Sequence, residues 1–372
     1  MAETDAEQSP AASTTGTAVQ PPAITYDGEM GPLAKLGIKV SLLTLVTLGF
    51  YRFWGKTRIR QYLWSRISVF GNRLEYTGTG KELFLGFLIV LAVLMPFGMI
   101  VGLLQLAAGT DGILLSTIEF LQIIVLLYLI GYATYRARRY RMSRTLLRGI
   151  RFRQGGSAGK FAFKWFGYLI LTFFTLGIAR PWGDVAVHRY TMTNSWFGAQ
   201  NFSFDGRPRE MLKTWIICLL LATPTLGLSL VWYAAFKTRY LVGGTRFQNL
   251  PLSLRIEFMD LVKIYLVALF ALLLLLSAIM MVMVAVGAAI GASAGSIFAG
   301  LPISVFIAIV VFGSTIALVF LTHPMLLLIA DRFSVEGDVD FEAILQNADT
   351  GPRTGEGLAD ALDVGGGLEV GL

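Results

Sequence analysis

Cysteine is almost absent. Cys218 is the only one in 372 residues and stands inside an apolar run, so no intramolecular disulfide can form and the residue reads as a small helix-packing side chain. Histidine is nearly as scarce, with His188 and His323 alone. Two imidazoles and one thiol cannot assemble a conventional zinc or haem-binding cluster, so no cofactor is expected. Nucleotide and hydrolase signatures are missing too: the chain has no G-x-x-x-x-G-K-[ST] loop, no G-x-S-x-G elbow and no H-E-x-x-H pair. "YTGTGKE" comes nearest to a phosphate loop, but its first glycine lies too close to Gly80-Lys81, and Glu82 stands where Ser or Thr is needed. With no acid–base constellation, the chain is not expected to be an enzyme.

Charge is the third shortage. Only 15% of the residues are charged, against about 25% in soluble domains. The chain is 55% hydrophobic with a mean hydropathy of +0.65. Ile264 to Ile290 and Ile297 to Leu321 carry no charge, and each exceeds the roughly 20 residues that cross a bilayer core. These runs imply a multi-pass membrane protein. The ends differ: residues 1–25 and 336–372 are acidic and rich in small residues, and are expected to be disordered tails around one membrane domain, 26–335. The first of them lacks the basic-then-apolar order of a secretory signal.

The net charge of +7 conceals an asymmetry, because the basic excess lies in the middle of the chain. Arg136 to Arg153 contains eight arginines and no acid. Directly after an apolar span, such a cluster marks the cytoplasmic side and attracts anionic phospholipid rather than nucleic acid. The C-terminus is accordingly expected on the cytoplasmic side. Association into a homo- or hetero-oligomer is left open.

One pattern recurs: "TLGFYRFWGKTRIRQY" at 47–62, "TLGIARPWGDVAVHRY" at 175–190 and "TLGLSLVWYAAFKTRY" at 225–240. It stands each time where an oily stretch meets a charged one. Seven apolar segments are readable, at about 33–51, 83–107, 113–135, 161–179, 211–234, 261–290 and 297–330. Strict alternation of these gives seven spans, but it puts 181–210 outside although that stretch copies the cytoplasmic ones. In the competing arrangement the first, fourth and fifth segments are re-entrant, and Gly49, Gly177 and Gly227 supply the break. Seven spans is the reading taken, because the residues after Thr-Leu-Gly are too polar to return cheaply.

Beyond each tyrosine comes a glycine-flanked stretch: "GNRLEYTGTG", "GIRFRQGGSAG", "GAQNFSFDGRP" and "GGTRFQNLP", with Arg73, Arg151 and Arg246 in one frame. Alternation with period two predicts short strands, and "AITYDGEMG" at 23–31 reads as another. The expected fold is an all-α polytopic membrane protein with four repeat units, whose short strands form a small sheet on the cytoplasmic surface.

"TLGFYRFWGKTRIRQYLW", "TLGIARPW", "LEYTGTGKELFLG" and "GIRFR" together resemble the YjgN-like family of bacterial inner-membrane proteins, over roughly residues 26 to 335. That family is a domain of unknown function, so the resemblance implies a multi-pass inner-membrane location and no chemistry. The unit around Tyr140 departs from the pattern, with no Thr-Leu-Gly and with Tyr132 in place of Trp.

Candidate site residues follow from these junctions. Trp54, Trp182 and Trp232, with Tyr62, Tyr140, Tyr190 and Tyr240, are expected to anchor the chain at headgroup level; the sharper alternative is a shared aromatic site. Arg58, Arg60, Arg138, Arg139, Arg189 and Arg239 are candidates for lipid phosphate. Glu119, with Gln122 on the same helical face, and His323, before Pro324, are the candidate intramembrane polar groups. A non-enzymatic scaffold or anionic-lipid-interacting protein is the leading expectation. The alternative is a transporter or channel for a small solute, whose polar path would need Glu119.

Overall fold

The computed structural model describes residues 23–289, 291, 309, 312–337, 339–341 and 344. Ten strands pair strictly with their sequence neighbours, all antiparallel, in the order β1 (Ile24–Tyr26), β2 (Ile67–Val69), β3 (Asn72–Tyr76), β4 (Thr145–Leu147), β5 (Ile150–Gln154), β6 (Ser195–Phe197), β7 (Gln200–Phe204), β8 (Thr245–Phe247), β9 (Leu250–Leu254) and β10 (Phe333–Val335). The sheet curls into a nearly closed barrel. This corrects the expectation of an all-α fold with a small surface sheet. The short partner strands were invisible because they run almost straight out of a helix. β2 begins at Ile67, immediately after a helix that ends at Arg66, with no turn residue between.

Even-numbered strands lead into odd-numbered ones through two-residue turns. Phe70-Gly71, Arg148-Gly149 and Gln248-Asn249 have positive φ at both positions, the conformation whose twist suits a tight hairpin. The turn at 248–249 also corrects the arginine frame. Arg246 pairs with Ser203 from β8, before the turn, whereas Arg73 and Arg151 lie on β3 and β5, after theirs.

Odd-numbered strands lead to even-numbered ones through a pair of helices. The order strand–helix–helix–strand occurs five times, over 24–69, 72–147, 150–197, 200–247 and 250–335. The helices are α1 (Met30–Val46) and α2 (Arg52–Arg66); α3 (Gly80–Ala108) and α4 (Gly112–Ser143); α5 (Ala158–Phe174) and α6 (Arg180–Thr193); α7 (Pro208–Leu221) and α8 (Leu228–Gly243). In the fifth unit they are α9 (Phe258–Ala289) and α10 (Phe312–Arg332). Side-chain caps start several of them. Thr79 and Glu82 form a capping box before α3, the Asp111 carboxylate accepts from Ile113 and Leu114 N–H, and Ser157 caps α5.

Among the described residues four helices, α3, α4, α9 and α10, are long and apolar enough to cross a membrane. Four, not seven, is the count, and this is a membrane protein. At 1.5 Å per residue, the 29 residues of α3 and 32 of α4 extend well past a core about 30 Å thick. The 17 residues of α1 or α5 do not. The first, fourth and fifth apolar segments fall short because each chain turns back at Thr-Leu-Gly. The connection expected at 291–296 and the start of the last apolar segment lie mostly outside the described residues.

Each helix packs on the next in sequence, and α10 returns to α1, where Ser41 and Thr315 hydroxyls meet at 2.8 Å. The sheet edges meet at the same seam. Among the described residues no ladder joins β1 to β10. Instead Ile24 and Tyr26 share one apolar cluster with Leu254, Leu326 and Phe333, and the Tyr26 hydroxyl lies 3.1 Å from His323 Nδ1.

Candidate functional site: hairpin tips and barrel lumen

Three turns at the helical end are copies of one another. Leu48, Leu176 and Leu226 have φ near +50°, and Gly49, Gly177 and Gly227 follow at +94°, +92° and +84°. A leucine in the left-handed region costs roughly 1–2 kcal/mol, yet all three side chains project outward, 89%, 85% and 96% exposed. Around them much of the backbone is bonded from within. Gly49, Gly177 and Gly227 N–H donate to the carbonyls of Thr44, Thr172 and Ala222, each at 2.7 Å. The hydroxyls of Thr47, Thr175 and Thr225 donate back to the carbonyls of Leu43, Leu171 and Leu221. Each also accepts from an N–H four residues on, that of Tyr51, Ala179 or Ser229. Trp54, Trp182 and Trp232 occupy one station, within the first five residues of α2, α6 and α8, close to these tips and about 12 Å along the helix from the tyrosines.

The tyrosines tie helix pairs together. The Tyr62 hydroxyl donates to the Glu29 carbonyl at 3.5 Å, and Tyr190 donates to the Ser157 carbonyl and accepts from its N–H, both at 2.9 Å. Tyr240 accepts from Arg207 N–H at 2.6 Å and lies 2.8 Å from Glu210 Oε2. In all three the bonded residue caps the first helix of the same unit, 33 positions back. Tyr140 departs slightly, donating to Glu82 Oε2 at 2.9 Å.

Most of the candidate arginines reach across to the following unit. Arg60 donates to the Tyr76 hydroxyl, Arg138 to Gln154 Oε1, Arg139 to the Gly155 and Gly156 carbonyls, and Arg189 to the Gly206 carbonyl at 2.7 Å. Arg58 stays within its own unit on the Tyr51 hydroxyl, and Arg239 is exposed. The strand-end residues they reach are tightly seated. A Cβ added at Gly206 would meet the Phe204 ring at 2.4 Å, and one at Gly28 would meet Tyr26 at 2.2 Å. Glycine two residues after an inward aromatic is therefore a packing requirement. The three intramembrane candidates are not brought together. Glu119 is exposed on α4, Gln122 is half-buried one turn on, and His323 is buried at the seam.

Inside the barrel all five units line a cavity of about 210 Å³. Leu74, Phe152, Phe202 and Leu252 face inward near the turns, paired with Leu147, Phe197, Phe247 and Val335. The layer nearer the helices is more polar. Ser195 donates to Gln154 Oε1 at 3.0 Å, and Gln154 Nε2 donates to the Tyr135 hydroxyl at 2.9 Å. His188 Nε2 lies 3.1 Å from the Thr245 hydroxyl. Burial, with the Arg138 charge as a second cause, pushes the His188 pKa down to about 4, so its ring is neutral. Arg138 and Arg141 complete that end, and no carboxylate stands among the described lining residues. The opposite mouth is covered by residues that the sequence reading assigned to a tail. Ile344 is buried against Leu147, Phe197 and Phe247, Phe341 stacks edge-on to Phe70, and Gln248 bonds both the N–H and carbonyl of Asp340.

Sequence reasoning missed the tip leucines and the lumen. The leucines were visible as part of the repeated triplet but were not assigned a role. The lumen could have been found by collecting the inward positions of all the alternating strands.

The family model described as bacterial protein of unknown function (DUF898) matches this chain twice, over residues 21–224 and 204–350. No curated protein and no solved structure matches it.

Proposed function

We propose, for a chain that belongs to DUF898, the YjgN-like family of bacterial proteins of unknown function, that it is a non-enzymatic, multi-pass scaffold of the inner membrane. Its barrel and C-terminus rest on the cytoplasmic face, and three helical hairpins re-enter the lipid from that side. The observation that carries this reading is the Thr-Leu-Gly tip: an exposed leucine on a backbone whose glycine N–H and threonine hydroxyl are bonded internally is better suited to hydrocarbon than an open turn, since non-helical backbone is otherwise expensive there. All the strand turns then share one face, which removes the conflict over residues 181–210. The double match of one family model supports reuse of a single building block.

On this arrangement the ten helices among the described residues share the cytoplasmic leaflet, and four of them continue into the other. The molecule is a wedge, and its partner is the lipid of that leaflet, including anionic headgroups near the basic helix ends. The exposed position of Glu119 favours the scaffold over transport, since a polar path was to be lined by that residue.

Cysteine labelling in a Cys218→Ser background tests the reading. Arg148→Cys and Ala199→Cys, in two strand turns, are both expected to react with an impermeant maleimide in inverted membranes and not in spheroplasts. Labelling of position 199 from the outer face alone would restore seven spans and overturn the wedge.

A further inference from the structure

We propose that the protein recognises membrane curvature, gathering where the bilayer bulges into the cytoplasm; this rests on the re-entrant arrangement given above and adds an activity to it. The spacing of the hairpins carries the inference. In all five units the fourth residue of the first helix is buried: Leu33, Leu83, Phe161, Met211 and Leu261. From that station the tip lies fifteen residues on in each short hairpin, at Leu48, Leu176 and Leu226, and twenty-seven on in the hairpin of α3 and α4, at Thr110. The excess of twelve residues is about 18 Å of helix, and one leaflet of a core about 30 Å thick accounts for about 15 Å. With the stations level around the ring, the short hairpins stop close to the bilayer midplane while the long ones cross it.

The long hairpins are not neighbours. Each helix packs on the next and α10 returns to α1, so the unit at 24–69 separates α3 and α4 from α9 and α10 on one side, and the units at 150–197 and 200–247 separate them on the other. The most apolar stretches of α3, α4 and α9 are hardly covered by protein, with 11%, 0% and 6% of their residues buried. Beyond the midplane, lipid therefore surrounds each long hairpin and fills the space over the three tips. Among the described residues, six helices stand in one leaflet and have no counterpart in the other. At about 10 Å across each, they take up roughly 500 Å² of the cytoplasmic leaflet alone. A flat bilayer gives its two leaflets equal area, so this mismatch strains it. Where the cytoplasmic leaflet is convex its area is the larger, and the strain is relieved.

The test uses the full chain with Ala199→Cys, an exposed strand-turn position, in the Cys218→Ser background, labelled with a fluorophore and reconstituted into zwitterionic vesicles of graded diameter. An impermeant quencher separates chains with the barrel outside from chains with the barrel inside. For barrel-outside chains, protein per unit membrane area should rise severalfold from the largest vesicles to the smallest. For barrel-inside chains it should fall, because the crowded leaflet is then the concave one. The two populations share one sequence and one lipid, so each is the control for the other. Density independent of diameter in both populations would overturn the inference, and so would a rise in both, which loosely packed lipid at high curvature produces without a wedge. Labelling of positions 148 and 199 from one side, together with flat profiles, removes the curvature activity and leaves the scaffold standing. Labelling from opposite sides removes both.

Discussion

The unit at 72–147 and the unit at 150–197 make an informative pair. Both begin with a five-residue strand, end with a three-residue strand, and enter through an Arg-Gly or Phe-Gly turn with the same backbone. Both tie the second helix to the start of the first through a tyrosine hydroxyl. They differ in the helices, 29 and 32 residues against 17 and 14, and in the chemistry of the tip. The long hairpin turns at Gly109-Thr110-Asp111, with a carboxylate capping α4; the short one turns at an exposed leucine. Strand ladders thus set the shape of the barrel end, and the hairpins are interchangeable inserts whose tip chemistry matches where they stop.

The largest expected effect attacks the tips. On the proposed arrangement Leu176→Arg puts a charge at the end of a lipid-inserted hairpin, at about 2.5–3.5 kcal/mol if it lies near the bilayer centre, and should sharply reduce the folded yield recovered from membranes. Thr110→Arg, at the tip of the long hairpin, should be silent. Equal sensitivity at the two tips would break the comparison.

The helix station facing the barrel separates the two units by pH. It holds Arg138 in the long unit and His188 in the short one. His188 is neutral in the fold, so the unfolded chain binds the extra proton first. Stability is fully present above about pH 6.5 and falls by roughly 1.4 kcal/mol per pH unit below it, until the folded ring protonates near its own pKa of about 4. Thermal melting in detergent between pH 7 and pH 5 should show this fall, and His188→Gln should flatten it.

Smaller effects sharpen the comparison within the short hairpins. Gly177→Ala forces a side chain into φ +92° and should cost roughly 1–2 kcal/mol. Gly167→Ala, in open space inside α5, should gain up to about 1 kcal/mol. Tyr240→Phe loses two short bonds and should cost about 1 kcal/mol, whereas Tyr62→Phe, whose bond is 3.5 Å long, should cost nearly nothing. Melting temperatures of the four variants decide these.

Parts of this were legible in the residues. The apolar runs identified helices, the period-two stretches after glycine identified the longer strands, and the Thr-Leu-Gly copies marked equivalent places. The topology was misread because the polarity after each triplet was weighed as a solvation problem. Arg180 in fact pairs with Asp184 one turn on, Lys237 reaches the same carboxylate, and Tyr233 donates to it, so much of that polarity is neutralised inside the fold. The tyrosines and arginines recur in the sequence at the oily-to-charged junctions. Apart from Arg58, whose partner is seven positions back, the partners described lie 16 to 58 positions away, a distance no local pattern spans, so ties between helices were not legible in the sequence. The fifth unit escaped because Leu328 stands where the others carry tyrosine.

The seam between β1 and β10 has a consequence for how the molecule is made. Each strand pairs with the one just before or after it, so four-fifths of the barrel can assemble as the chain leaves the ribosome, unit upon unit. Tyr26 and Ser41 must wait for partners 297 and 274 residues downstream. Until the helix that carries His323 packs against it, β1 remains an uncovered edge able to pair with any passing strand. A nascent chain cut short after residue 247 would therefore carry its hazard at the beginning, in the first strand it made.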